Sequence, residues 1–363
     1  MLNKKYLLLA SAMVLGWHGT TQAQSDTREV TIDFAAYVGE TEFACGESYD
    51  EVGSAASTIT PTDFRFYVSD VALIDEDGNA VPVELEQDGK WQYQNTALLD
   101  FEDGTNTCDN GTADINTAVV GTVPEGDYRD LQFTLGVPQE LNHDDAAIAP
   151  SPLNLTSMWW NWQGGYKFLR ADIETDSAIA SVEPTSSSQD RALTNGHGNH
   201  SGHGHGTETS HQTSGQASIF KQEGSQHGQT SGTHSSSGHG SHHSGGQDNG
   251  HSGGGHGGNA GSNSYMIHLG STGCSDSAQS SLFKCKNPNR AQIVLEDFDP
   301  DNDVAIADLG ELLAQSDLTT NDANTPNGCM SSPEDADCLP IMQNLSLSPA
   351  ATGESAQYFF FVE

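Results

Sequence analysis

The chain is short of positive charge. Thirteen Lys and Arg stand against 50 Asp and Glu, a formal net charge of −37 at pH 7. Such a surface repels phosphate, which argues against nucleic acid and anionic membrane as partners. It suits cations, whether metal ions or basic proteins, and equally a saline habitat. The chain also lacks any C-x-x-C pair. Its six cysteines, Cys45, Cys108, Cys274, Cys285, Cys329 and Cys338, therefore read as disulfides of an oxidising compartment rather than as a thiolate zinc or copper site. Two close pairs, Cys274 with Cys285 and Cys329 with Cys338, leave Cys45 for Cys108. Helical periodicity is scarce, and the one good helical segment is Ala307 to Gln315. The acidic run Asp297 to Asp303 lacks the Gly and the distal Glu of an EF-hand loop, so it is a weak calcium signal.

Apolar runs long enough to cross a membrane are missing as well. The first 23 residues have the order of a secretory signal: Lys4 and Lys5, an apolar stretch from Tyr6 to Gly16, then Thr21-Gln22-Ala23 ending in a small residue. That stretch is too short for a spanning helix, and no Cys follows it to carry a lipid. The expectation is an exported, periplasmic protein with no membrane insertion.

Residues 191–263 are a different material, almost all Gly, Ser, His, Gln, Asn and Thr. Such a stretch has too little apolar surface to fold alone, so it is expected to be a disordered insertion. It holds His197, His200, His203, His205, His211, His227, His234, His239, His242, His243, His251 and His256. A spacer of Gly and Ser needs no histidines, whereas neutral imidazoles in a flexible tract bind borderline and soft divalent metals. His203 with His205, and His242 with His243, are close enough to chelate one ion, and His197 and His200 extend the set.

The rest of the chain, 24–190 and 264–363, reads as β. Strands are expected over Glu29–Val38, Phe64–Ile74, Trp91–Tyr93, Ala97–Phe101, Tyr128–Val137, Met158–Asp172, Ser264–Gly270, Ala291–Phe298 and Gln357–Val362. Asp77-Gly78, Asp103-Gly104 and Pro124-Glu125-Gly126 mark turns between them. The fold class is all-β: one antiparallel β-sandwich or barrel, with the His-rich tract as a long loop insertion that costs little stability.

Three of the five tryptophans lie within Trp159-Trp160-Asn161-Trp162. On a continuous strand Trp160 and Trp162 share one face and Trp159 takes the other. A bulky core, an aromatic platform for a sugar or peptide, and a metal-linked site all fit this run. Histidine is the residue that narrows the choice. His18 lies in the signal, so only His143 and His268 belong to the folded part outside the tract. On the strand around His268, Tyr265, Ile267 and Leu269 form the apolar face and His268 points the other way with Met266. Two histidines are too few for a multicopper or four-histidine enzyme centre, so catalysis is not expected. A metal-free β-sandwich that uses the Trp face for a sugar or protein remains the alternative.

Several segments together resemble one family. They are Phe64-Arg65-Phe66-Tyr67-Val68-Ser69-Asp70-Val71, Leu98-Leu99-Asp100-Phe101-Glu102, Gly136-Val137-Pro138 with Leu141-Asn142-His143, and Pro152-Leu153-Asn154 through Gly165-Tyr166-Lys167-Phe168. His268-Leu269-Gly270-Ser271-Thr272-Gly273-Cys274 and Asn287-Pro288-Asn289-Arg290 complete the set, all in family order. The family is that of the methanobactin-associated periplasmic copper proteins (MbnP-like), the four-Cys half of the metallo-mystery pair. The resemblance spans nearly the whole chain except the signal and the tract. It implies an exported β protein holding one copper through two histidines and a kynurenine, the latter made from Trp by a partner dihaem cytochrome related to the cytochrome c peroxidases. It points to His143 and His268 as ligands and to Trp160 or Trp162 as the oxidised residue, with a copper transporter or donor as a further partner. Indole offers no lone pair to a metal, whereas the aryl amine and ketone made by opening its ring do, which gives the oxidation a chemical purpose. The long tract departs from the family's short loop and raises buffering of further metal outside the core site.

Overall fold

The strand Thr27–Val38 alternates as its sequence does. Val30, Ile32, Phe34, Ala36 and Val38 are buried and the residues between them are more exposed, because successive side chains leave a strand on opposite sides. It lies in the middle of a sheet ordered Phe360–Val362, Val304–Asp308, Thr27–Val38, Ala118–Pro124 and Glu84–Leu85, with Thr41–Glu42 on its flank. The computed structural model describes residues 26–161, 163–183, 262–276, 283–347 and 357–363. The chain divides into two units, Met1–Pro184 with His256–Glu363, and Thr185–Gly255. Every described residue belongs to the first.

The second sheet is built on one long strand, Ser57–Asp75. Its order is Ala291–Leu295, Tyr128–Leu135, Ser57–Asp75, Leu169–Thr175, Ser264–Leu269 and Gly328–Cys329. Tyr49–Val52, Ala80–Pro82 and Thr96–Asp100 also pair with the long strand. The two sheets face each other through aromatic side chains. Phe34 meets Phe133 at 5.6 Å between ring centroids, and Phe360 meets Phe66 at 5.5 Å and Phe133 at 5.0 Å. Burying each such ring contributes about 1.5–3 kcal/mol.

The architecture is thus an all-β sandwich. It does not close into a barrel, and among the described residues three pairings are parallel: Thr27–Val38 with Val304–Asp308, Ser264–Leu269 with Gly328–Cys329, and Ala180–Val182 with Thr320–Asp322. The disulfides are Cys45–Cys108, Cys274–Cys285 and Cys329–Cys338, as the spacing led one to expect. The two ends of the His-rich insertion leave the sheet side by side. Ile179 N–H donates to the Ser262 carbonyl at 2.9 Å and Thr175 N–H to the Asn263 carbonyl at 2.7 Å.

Several elements differ from expectation. Met158–Asp172 is not one strand. Thr156–Met158 forms a 3-10 turn, Trp159–Asn161 and Gly165–Tyr166 form a small hairpin, and only Leu169–Thr175 joins the large sheet. The Asn161 side chain makes the turn by accepting from Gln163 N–H at 2.9 Å and Gly164 N–H at 2.8 Å. The expected helix Ala307 to Gln315 is shorter, Leu309–Leu313, because Ala307 and Asp308 stay in the strand Val304–Asp308. Asp308 caps it, accepting from Gly310 N–H at 2.7 Å. A second helix, Cys338–Asn344, was too short to leave a periodic signal; it begins at the cysteine bonded to Cys329. Among the described residues no helix is long and apolar enough to cross a membrane.

Candidate metal centre

On the long strand Phe64, Phe66 and Val68 belong to the core between the sheets, so Asp63, Arg65 and Tyr67 take the opposite face. The register then lines up charged groups from strands far apart in sequence. Arg65 stands opposite Asp100 on one side and Arg170 on the other, and Arg170 stands opposite His268. One step along, Asp63 faces Asp172. Asp63, Arg65, Asp100, Glu102, Asp172 and His268 are all buried.

Buried charges persist only when paired and hydrogen-bonded. Arg65 donates through Nε to Asp63 at 2.8 Å and through its terminal nitrogen to the other Asp63 oxygen, and it reaches Glu102 at 3.4 Å. Arg170 bridges Asp63 at 3.0 Å and Asp172 at 2.7 Å. Burial raises the Asp100 carboxyl to about 7 against the pull of Arg65. Burial would also raise Asp172, but His268 and Arg170 overcome it and hold that carboxyl at about 2.

His268 sits at the end of this row. Its Nε2 lies 2.8 Å from Asp172 Oδ1, which leaves Nδ1 as the nitrogen for a metal. Burial lowers its pKa, the Asp172 carboxylate opposes that, and Lys167 and Arg170 reinforce it, so the ring is neutral near pH 7 and its lone pair is available. Ser331 fixes the strand end, donating to the His268 carbonyl at 2.9 Å and accepting from Gly270 N–H at 2.8 Å.

Beyond the charged row the same face turns apolar. Tyr67, Leu98, Val137, Leu141, Leu153, Met158, Tyr166 and Phe168 make a second cluster, with Trp159 packed against it. The loop carrying His143 lies on this cluster. Tyr67 donates to the Pro152 carbonyl at 3.0 Å and Tyr166 to the Leu153 carbonyl at 2.7 Å. Asn142 docks the loop on the tryptophan hairpin, its Oδ1 accepting from Tyr166 N–H at 3.0 Å. Gly165 makes that approach possible: its φ is +74°, and a Cβ there would overlap Asn142.

Trp160 lies on Gly270, two residues beyond His268. A Cβ built on Gly270 would come within 2.6 Å of the six-membered ring of Trp160. Trp159 is half-buried, and its Nε1 is enclosed without an acceptor. The hairpin bearing Trp159 and Trp160 therefore touches the His143 loop through Tyr166 and the His268 strand through Gly270. Trp162, and the tract histidines His197, His200, His203, His205, His242 and His243, lie outside the described residues.

His143 is half-buried, and its Nε2 is 3.5 Å from Cys285 Sγ and 3.4 Å from Asn142 Nδ2. Among the described residues, the group of three metal-capable side chains that stands together is His143, Cys274 and Cys285, with ligand atoms within 4.8 Å of one another. His268 is not in that group. Sequence reasoning missed Asp172, Arg170 and the nearness of Cys285 to His143. Arg170 and Asp172 left a faint signal, polar residues alternating with Leu169, Ala171 and Ile173. The acidic run from Asp297 closes on itself: Asp299 accepts from Asp301 N–H at 3.0 Å and Asn302 Nδ2 at 2.7 Å, and Arg28 pairs with Asp301 at 3.0 Å.

The neutral imidazole of His268, held by Asp172, has the chemistry of a ligand for a borderline or soft metal ion. Neutral imidazoles suit it, an Asp-held histidine is the usual partner arrangement of a metal ligand, and unmodified indole contributes nothing. The family model gives the family, and a solved structure gives a similar fold. The MbnP family model matches residues 27–225, more than half of the chain. Among solved structures, MbnP from Methylosinus trichosporium is similar at 24% identity and a TM-score of 0.63, over 93% of this chain and 98% of that one. No curated protein matches the chain. On the strength of the family match, the chain belongs to the MbnP family.

Proposed function

We propose that this chain is an exported copper-binding protein of the periplasm that acquires or hands on copper and performs no catalysis of its own. His143 and His268 supply two imidazole ligands. The third comes from a kynurenine made from Trp160 or Trp162 by a dihaem cytochrome of the peroxidase type, with a copper transporter or donor as further partner. The observation that carries this reading is the Asp172–His268 hydrogen bond of 2.8 Å, on a strand whose Gly270, two residues on, carries the Trp160 ring. A carboxylate on one imidazole nitrogen sets the tautomer, orients the ring and raises the basicity of the other nitrogen. The histidines of the tract buffer further, weaker metal around the core site.

The test needs the tract removed, since its imidazoles mask the core. Deleting residues 191–260 should leave the sandwich folded, because the flanking segments are already hydrogen-bonded to each other. It should lower the number of weakly held Cu, Zn or Ni ions per chain. Protein from a host with the cytochrome should carry one tight copper and kynurenine in the tryptophan peptide by mass spectrometry. Protein from a host without it should carry neither. His143→Ala and His268→Ala should each abolish tight copper while leaving the circular dichroism of the fold. Full copper occupancy in the doubly substituted, tract-deleted protein would refute the assignment.

A further inference from the structure

The disulfide against His143 is unlike the other two. Cys108, Cys329 and Cys338 are buried, so each of their bridges has at least one enclosed end, whereas Cys274 and Cys285 are both half-exposed. They face each other directly in the two-stranded hairpin Thr272–Asp276 with Phe283–Asn287. A reductant in solvent therefore reaches this bridge first.

As a disulfide the pair offers a cation little. We infer that two-electron reduction of Cys274–Cys285 turns this corner into a second metal site, in which both thiolates and the His143 imidazole take a Cu(I) ion. The balance is simple. A dithiol donor gives up two hydrogens and becomes a disulfide, the Cys274–Cys285 bond breaks, and each sulfur gains a proton. Binding of Cu(I) then releases those protons to solvent. The three ligand atoms already lie within 4.8 Å of one another, so closing on the ion needs little backbone movement. Thiolates prefer a soft cation, and with one imidazole they make a three-coordinate set that suits Cu(I). His143 is shared with the copper set proposed above, but the inference does not depend on that reading, because substitution of the cysteines leaves His268 and Trp160 in place.

The test uses the full-length protein made in a host without the cytochrome, so that His143 is not engaged at the core site, reduced with a phosphine, desalted without oxygen and titrated with Cu(I) against a competing chelator beside the oxidised protein. Alkylation and peptide mapping should show Cys274 and Cys285 opened before the other four. The reduced protein should take up one more Cu(I) than the oxidised protein, with ultraviolet thiolate-to-copper absorption and two sulfur neighbours by X-ray absorption. Cys274→Ser with Cys285→Ser should remove that extra ion. His143→Ala should weaken it by at least roughly tenfold, since even groups that merely orient a ligand are worth that much. Should the serine variant fail to fold, wild-type protein selectively alkylated at both sulfurs replaces it. Equal uptake by reduced and oxidised protein, or an extra ion that survives alkylation or His143→Ala, would overturn the inference.

Discussion

His268 Nε2 and Asp172 Oδ1 meet at 2.8 Å across a diagonal of neighbouring strands. The same carboxylate takes the Arg170 guanidinium on its other oxygen at 2.7 Å. Asp172 thus serves a histidine and an arginine at once, which makes it the position where ligand geometry and fold stability are most closely joined.

Asp172→Asn keeps the shape and removes the charge. The Arg170 pair weakens, and stability should fall by roughly 1.5–3 kcal/mol, the worth of hydrogen bonds to charged groups. Copper affinity should fall roughly 10–100-fold, as for loss of a group that orients a metal ligand. Denaturant unfolding checks the first and competitive copper titration the second. A loss of stability with copper affinity unchanged would leave His268 a purely structural residue.

Acid should undo this pair in order. His268 has its folded pKa below the ordinary 6.5, so its contribution is present above that value and is lost as pH falls through it. Asp172, held at about 2 against an ordinary 3.8, keeps its contribution above 3.8 and loses it as pH falls toward 2. Asp335 acts in the opposite sense. Burial raises its carboxyl to about 7, so folding retains a proton that the unfolded chain releases near 3.8, and stability falls as pH rises between those values. Asp335→Asn keeps the acceptor for Asp337 N–H, at 3.1 Å in the native protein, and cannot ionise. The variant should melt higher than the native protein at pH 8 and show a flatter melting profile from pH 4 to 7. A variant that melts lower at pH 8 would contradict this.

Gly165→Ala tests the docking of the His143 loop on the tryptophan hairpin. The left-handed φ of +74° and the overlap with Asn142 both oppose a methyl group there, and such strain costs about 1–3 kcal/mol. The expected result is a lower midpoint in urea together with loss of copper from the core site, because Asn142 and His143 are adjacent. Gly164→Ala serves as the control on the same hairpin, with ordinary backbone φ and a nearest contact of 3.2 Å to Trp160. Equal effects of the two substitutions would remove Gly165 from the argument.

Legibility varied with the distance over which each feature is determined. Alternation in Thr27–Val38 announced a half-buried strand because its period is a property of the chain itself. The run from Met158 misled because its apolar residues fill a second cluster outside the main core. Asn161 turns the chain there, and Trp160 lies on Gly270. The helix Cys338–Asn344 was invisible because seven residues give too little period to detect.

The amino-acid sequence by itself determined the β class, the place of the His-rich insertion and the pairing of the cysteines. Periodicity, composition and short spacing are local quantities, readable without neighbours. Only the tertiary structure decided that Asp100, Arg65, the half-buried Arg170 and His268 form one row across the sheet, and that His143 faces Cys285 from 142 positions away. Alternation tells which face a side chain takes but not which strand lies beside it. That choice is made by register, and register follows from packing the two sheets together.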